Sequence, residues 1–201
     1  MQNRWLPVAE LTLASTSPRR LDLLTAAGIV VNVSEPDVDE ASFDSELDPK
    51  ELVATLALAK AHSVAGERVL AADTVVSHRG RILGKPKNRN VARATLLAMS
   101  DSTVTVVSAV ALIKRGGENS EQVETVTTTL NIRALSPAEV NEYVLTGASD
   151  DKAGSLAVQD QAASFVSEID GCYSNVVGLP MCAVRRMLGL EHKDCDSGPL
   201  N

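Results

Sequence analysis

Aromatic side chains are nearly missing from this sequence: one tryptophan, two tyrosines and two phenylalanines make up 2% of it. Proteins that grip single-stranded nucleic acid stack its bases on aromatic platforms, and this chain has little to build them from. An excess of positive charge is missing too. The formal net charge is -7, whereas a protein that tracks a phosphate backbone presents a basic surface. Polymeric nucleic acid is therefore not the expected partner. A small triphosphate passes the same test, because it needs only a local cluster of cations within an acidic exterior.

Cysteine is scarce. Cys172, Cys182 and Cys195 show no metal-ligand spacing, and an odd count in a chain of this length argues for free thiols in a reducing compartment. No stretch reaches the length needed to span a bilayer, and MQNRWLPVAELTLA has no long apolar core after a basic start. A cytoplasmic protein without membrane association is expected. The phosphate-loop pattern GxxxxGK[ST], the dinucleotide pattern GxGxxG and the nucleophile elbow GxSxG do not occur. His62, His78 and His192 are scattered and read as surface or packing residues, and nothing pairs a histidine with a cysteine nucleophile.

What is present is an aliphatic core. Hydrophobic residues are 44% of 201, enough for one domain or two closely joined lobes; residues 1–201 are taken as a single domain, with its body at about 11–188 and terminal extensions at 1–10 and 190–201.

The most telling stretch is LTLASTSPRRLDLLTAA, Leu11 to Ala27. Leu11, Leu13 and Ala14 read as a strand, Ser15 to Ser17 as a tight turn, and Ser17 with Pro18 as the cap and first residue of a helix. Such a helix start offers free amides and the positive end of the helix dipole, and Arg19 and Arg20 add forked donors suited to phosphate oxygens. Gly28 is placed to stop that helix, and Val30, Val31 and Val33 then suggest a short buried strand. Ser34 to Asp48 follows with seven carboxylates and no cation. It reads either as a solvated loop or as a segment in which one of Asp37, Asp39 and Glu40 folds over the anion site and holds a divalent metal.

Asp48 and Pro49 open a helix running to about Gly66. Lys60 shares its apolar face with Leu52 and Leu56, so its ammonium either snorkels to water or reaches a buried anion. Arg68 to Ala72 reads as a central strand delivering Asp73 and Thr74 at its carboxyl end, where open sheets gather ligand-binding residues. Arg79 and Gly80 mark a hairpin turn, after which Pro86 keeps Lys85 extended. Val91, Ala94, Leu97 and Ala98 set the apolar stripe of a helix from about Asn90 to Ser100. Thr103 to Ile113 and Gln122 to Ala134 read as a long antiparallel hairpin. Ser136, Pro137 and Glu139 form a capping box for a helix that Gly147 closes. Ala148 to Pro180 is loop-rich, with one strand near Phe165 to Ile169, and Pro180 starts a last helix to about Leu188.

Several short motifs recur in a telling order: LASTSPRR at Leu13 to Arg20, VDE at Val38 to Glu40, LAKA at Leu58 to Ala61, AADTVV at Ala71 to Val76, GKP at Gly84 to Pro86, DKAG at Asp151 to Gly154, AVQ at Ala157 to Gln159 and VVGLP at Val176 to Pro180. Through them the chain resembles the Maf family of nucleoside triphosphate pyrophosphatases from about Leu11 to Leu188. The resemblance implies an α/β fold with an elongated, twisted, mixed central sheet flanked by helices, two lobes around a cleft, in the Maf/ITPase-like manner. It implies metal-dependent hydrolysis, with Mg2+ or Mn2+, of a nucleoside triphosphate to the monophosphate and pyrophosphate, and a homodimer. By the same resemblance Asp73 is the general base, Ser15, Arg19, Arg20, Lys60 and Lys85 hold substrate, and Glu40 joins Asp73 at the metal.

Arg19, Thr74 and Gln159 match the residues that mark substrate choice in the subgroup similar to dTTP and UTP pyrophosphatases. The chain departs from the family pattern where an aromatic residue near Leu156 and a glycine at Asp160 are usual. The alternatives are the subgroup acting on 7-methyl-GTP, and a nucleotide-binding regulator of cell division that needs no turnover. On the residues alone, Asp73 can accept a proton from water or help hold a metal, and Glu40 supplies a further hard oxygen.

Overall fold

The computed structural model describes residues 11–43, 47–116, 119–150, 152–156, 158 and 161–190. Leu11, Leu13 and Ala14 are buried, giving β1 (Leu11–Ala14) two covered faces as a central parallel strand requires. After the Ser15–Ser17 turn, α1 (Pro18–Ala26) starts on its proline, and Gly28 closes it in a left-handed conformation at φ 72°. Ser17 occupies the cap position, but its side chain makes no capping bond. Ser15 acts instead: its Oγ accepts the Ser17 amide at 3.2 Å.

The next strand, β2 (Asn32–Ser34), lies at the sheet edge, with Val30 85% and Val33 51% exposed. The expected buried strand is thus an exposed one, because the edge position leaves Val33 uncovered, while Val30 and Val31 precede the strand. Asp48 caps α2 (Pro49–Ser63) by accepting the Lys50 amide at 2.9 Å. The long strand β3 (Arg68–His78) turns through Arg79 and Gly80, both at positive φ, into β4 (Arg81–Leu83). Asn88 caps α3 (Arg89–Met99). That helix buries Ala92, Leu96 and Met99 and leaves Val91 and Leu97 partly in solvent. The stripe of Val91, Ala94, Leu97 and Ala98 is therefore the outer face. Two apolar stripes at helical spacing run along this helix, and packing chose the one with Leu96 and Met99.

The hairpin of β5 (Ser102–Lys114) and β6 (Ser120–Ile132) is paired along its whole length, from Ser102 opposite Ile132 to Lys114 opposite Ser120. The full capping box opens α4 (Pro137–Leu145). Then follow β7 (Val166–Asp170), the short α5 (Tyr173–Val177), which the sequence pattern did not reveal, and α6 (Met181–Leu188). Among the described residues no helix is long and apolar enough to cross a membrane. Cys172 is free and buried, and Cys195 lies outside the described residues.

The described strands form one mixed sheet in the order β2, β1, β3, β5, β6, β7, with β4 also on β3. Along one edge of β3, β1 pairs with Arg68 to Ala71 and β4 with Val76 to His78. The opposite edge is paired to β5 without a break from Arg68 to Ser77. Residues 72–75 thus lack a strand partner on the first edge, in a gap framed by the end of β1 and the start of β4.

Side chains alternate across the sheet. Val69, Ala71 and Val75 pack with α2, whereas Leu70 and Ala72 pack with Leu24 of α1 and Ala183, Val184 and Met187 of α6. Asp73 consequently faces α2 and Thr74 faces the other side. Each fully buried leucine of these layers, such as Leu13 or Leu70, contributes about 1.5–3 kcal/mol. The gap in β3 is therefore set in a rigid frame.

Candidate active site

The sequence places Asp73 at a strand terminus. The structure puts it inside β3, two residues beyond the end of its pairing with β1. There its Oδ1 accepts a hydrogen bond from Lys60 Nζ at 2.6 Å, and the same ammonium lies 2.6 Å from Glu40 Oε1. Lys60 is 6% exposed and Asp73 6%. The apolar face of α2 therefore carries its lysine inward to a carboxylate rather than out to water. Glu40, in a single 3-10 turn at Glu40–Ser42, is a carboxylate of the acidic segment that reaches this pair.

Burial raises the Asp73 carboxyl above its ordinary 3.8, against the opposing pull of Lys60 and Arg20. Burial also pushes Glu40 upward, but its hydrogen bond to Lys60 and the charges of Lys60, Lys85 and Arg20 outweigh this and hold it below 4.5. The two carboxylates are driven in opposite directions, as befits groups with different tasks.

On the other face of the sheet, Arg20 is fixed by three acceptors. Its Nε donates to the Gly178 carbonyl at 2.9 Å, Nη1 to Ser15 Oγ at 3.2 Å and Nη2 to Thr74 Oγ1 at 3.5 Å. Ser15, at the end of β1, is 4% exposed, so the turn that begins the first helix is also the seat of this arginine.

These groups line one cleft of about 590 Å³, together with Arg19, Lys85 and, beyond them, Val76, Val106, Leu156, Val158, Val176 and Val177. The charged end and the apolar end are continuous, and the volume suits an organic ligand of moderate size. Lys85 enters from the GKP segment behind β4 and is exposed. Gln159 lies outside the described residues, although Val158 beside it lines the apolar end. Neither His62 nor His78 lines the cleft: His62 meets Glu121 at the surface, and His78 is buried against Ser102 Oγ at 3.0 Å. Sequence reasoning missed Lys152, Ser108 and the Gly178 carbonyl. The DKAG and VVGLP motifs pointed to two of them, but only the register of β3 with β5 sets Ser108 opposite Thr74.

The model of the family described as "Maf-like protein" matches residues 10–190. The chain belongs to the Maf-like family. Among relatives of this Maf chain, a dTTP/UTP pyrophosphatase of Pelotomaculum thermopropionicum is 40% identical over 183 residues, covering 89% of this chain and 95% of that one. A dTTP/UTP pyrophosphatase of Symbiobacterium thermophilum is 42% identical over 183 residues, covering 89% and 92%. Among solved structures, a HAM1 protein from Coxiella burnetii has a TM-score of 0.44 at 18% identity, over 78% of this Maf chain and 91% of that chain.

Proposed function

We propose that this Maf chain hydrolyses dTTP and UTP to the nucleoside monophosphate and pyrophosphate. The observation that carries the reading is the continuity of the cleft. A buried carboxylate with a raised pKa, fixed cations and an apolar end share one space, as a triphosphate, its attacking water and a base require. The names borne by relatives about 40% identical point the same way.

In this reading Asp73 accepts the proton of the water that attacks the phosphorus. Its raised pKa brings it closer to a base that works near neutrality. Arg19, Arg20, Lys60 and Lys85 bear on the triphosphate oxygens, where positioning and electrostatics supply most of the rate. Ser15 keeps Arg20 in place as substrate arrives, and Gln159, with Arg19 and Thr74, is assigned to substrate choice by resemblance.

The donor set also fits a divalent metal. Glu40 and Asp73 would hold it: their carboxylates are brought close together by the shared Lys60 ammonium, 2.6 Å from each, and Mg2+ is usually held by one or two carboxylates with substrate phosphates completing its shell. Among the described residues no group of three or more ligand types gathers to hold a metal alone, so the ion would arrive with the triphosphate. Mg2+ or Mn2+ there would neutralise developing charge on the phosphoryl oxygens. We place the chain in the cytoplasm on its composition, and a homodimer remains part of the proposal by resemblance.

The test is pyrophosphate release from a nucleotide panel with Mg2+ or Mn2+. Release from dTTP and UTP ahead of the purine nucleotides is expected. Preference for 7-methyl-GTP overturns the pyrimidine assignment, and tight binding without release from any nucleotide replaces the enzyme with a binding regulator.

A further inference from the structure

Asn175 lies in the middle of the short α5, is completely buried and does not line the cleft. Its Nδ2 stands 3.1 Å from the Val106 carbonyl of β5, 3.3 Å from the Val126 carbonyl of β6 and 2.9 Å from Thr128 Oγ1. A carbonyl only accepts, so the nitrogen of the amide is the group that faces them. Among the described residues its Oδ1 is buried without a hydrogen-bond partner, at a free-energy cost that an apolar side chain would not bear. What the amide contributes therefore lies in its donors.

Thr128 is the other half of this joint. Completely buried as well, its hydroxyl donates to the Cys172 carbonyl at 3.2 Å and accepts the Cys172 backbone amide at 3.0 Å. With its one proton spent on that carbonyl, it accepts from Asn175. Gly171 lets the chain come so close: a Cβ there would stand 3.0 Å from Thr128 Oγ1 and 3.2 Å from Thr128 Cα. The start and the middle of α5 are thus both fastened to the hairpin of β5 and β6. From there the geometry runs to the cleft through the main chain. The Ser174 carbonyl accepts the Leu179 amide at 2.9 Å, and the Asn175 carbonyl accepts the Gly178 amide at 3.0 Å. The planar peptide that carries the Leu179 N-H also carries the Gly178 carbonyl, so fixing one aims the other. That carbonyl accepts from Arg20 Nε at 2.9 Å.

We propose that Asn175 is a positioning residue: with Thr128 it locks α5 onto the β5–β6 hairpin and so aims the Gly178 carbonyl that orients the Arg20 guanidinium for phosphate. The proposal rests on the assignment of Arg20 to the triphosphate. It gives the buried amide a task in the reaction although Asn175 touches no substrate.

Inorganic tripolyphosphate, titrated calorimetrically with Mg2+ present, reports on the phosphate end of the cleft without any base or turnover. Asn175→Leu, close in size but without donors, should weaken its affinity about three- to tenfold, the size of one hydrogen bond's net contribution. Thr128→Val should do the same by removing the hydroxyl on which Asn175 and Cys172 meet, and Thr128→Ser, which keeps that hydroxyl, should bind as the parent does. In an Arg20→Gln background Asn175→Leu should cause no further loss, because the guanidinium it serves is gone. Each variant is titrated well below its own Tm, so lowered stability alone does not move the result.

Parent-like affinity in Asn175→Leu, or a loss of the same factor with and without Arg20, would overturn the proposal and leave Asn175 a packing residue. Should Asn175→Leu not fold, Thr128→Val against Thr128→Ser, each with Arg20 and with Arg20→Gln, decides the same question. Failure of the pyrophosphatase reading looks different: the parent protein would bind tripolyphosphate but release pyrophosphate from no nucleotide, and the calorimetric comparison would still decide the role of Asn175.

Discussion

Lys60 is the residue on which both halves of the charged cluster depend. It stands between Glu40 and Asp73 at 2.6 Å from each, with its own side chain and that of Asp73 almost wholly buried. Removing one partner of a buried pair leaves an uncompensated charge, which costs about 3–5 kcal/mol. Lys60→Met should therefore destabilise the protein by about that amount at neutral pH. The sign of the pH effect follows from Asp73, whose folded-state pKa lies above its ordinary 3.8. Such a carboxyl favours the folded state when protonated, and that contribution is lost as pH rises through the raised value. Urea titrations of Lys60→Met should show a smaller deficit at acid pH than at neutral pH, and adding Asp73→Asn should relieve it; an equal deficit at both would show that Asp73 is not the group left exposed to the loss. In catalysis the same shift places the acid limb of kcat/KM above pH 3.8, because the base must be ionised. Asp73→Asn should lower turnover by about 10²- to 10⁴-fold with an unchanged circular dichroism spectrum, and near-normal turnover would remove Asp73 from the role of base.

The helices show how much could be read from sequence and where reading stopped. Caps and glycines are local chemistry, and they placed the starts of α1, α2 and α4 at the observed residues. The buried face of α3 is not local, since both of its stripes have helical spacing. Leu96 is fully buried and Leu97 38% exposed, so Leu96→Ala should cost about 2–5 kcal/mol and Leu97→Ala under about 1. The reverse order in denaturant midpoints would restore the stripe expected from sequence. The site divides in the same way: Asp73, Lys60, Arg20 and Ser15 were legible because each belongs to a compact motif, whereas Ser108 depends on a register between distant strands. The capping box of α4 offers a titration of its own. Arg133 and Ser136 hold Glu139 down at about 2 from an ordinary 4.5. Its contribution is complete above about pH 4.5 and fades as pH falls toward that lower value, so the stability gap between the parent and Glu139→Gln should narrow over that range.

Charge on the whole molecule and charge in the cleft have opposite signs. The chain carries -7 overall, yet Arg19, Arg20, Lys60, Lys85 and Lys152 line the cleft against only Glu40 and Asp73, five cations to two carboxylates. The net negative chain repels a polyanion at long range, while a compact triphosphate can enter where the field is reversed. The break in β3 pairing between β1 and β4 opens this region within the sheet, in a frame of buried core. Ligand should therefore stabilise the fold by simple linkage. With Asp73→Asn to suppress turnover, dTTP and Mg2+ at a hundredfold excess over Kd should add about 2.7 kcal/mol. For a chain of this size that is a rise in Tm of about 5–10 °C, and it should shrink as salt screens the cations. Duplex DNA at equal phosphate concentration should leave Tm where it was. A comparable rise with DNA, or none with dTTP, would mean that the cleft does not concentrate the positive field as its lining residues indicate.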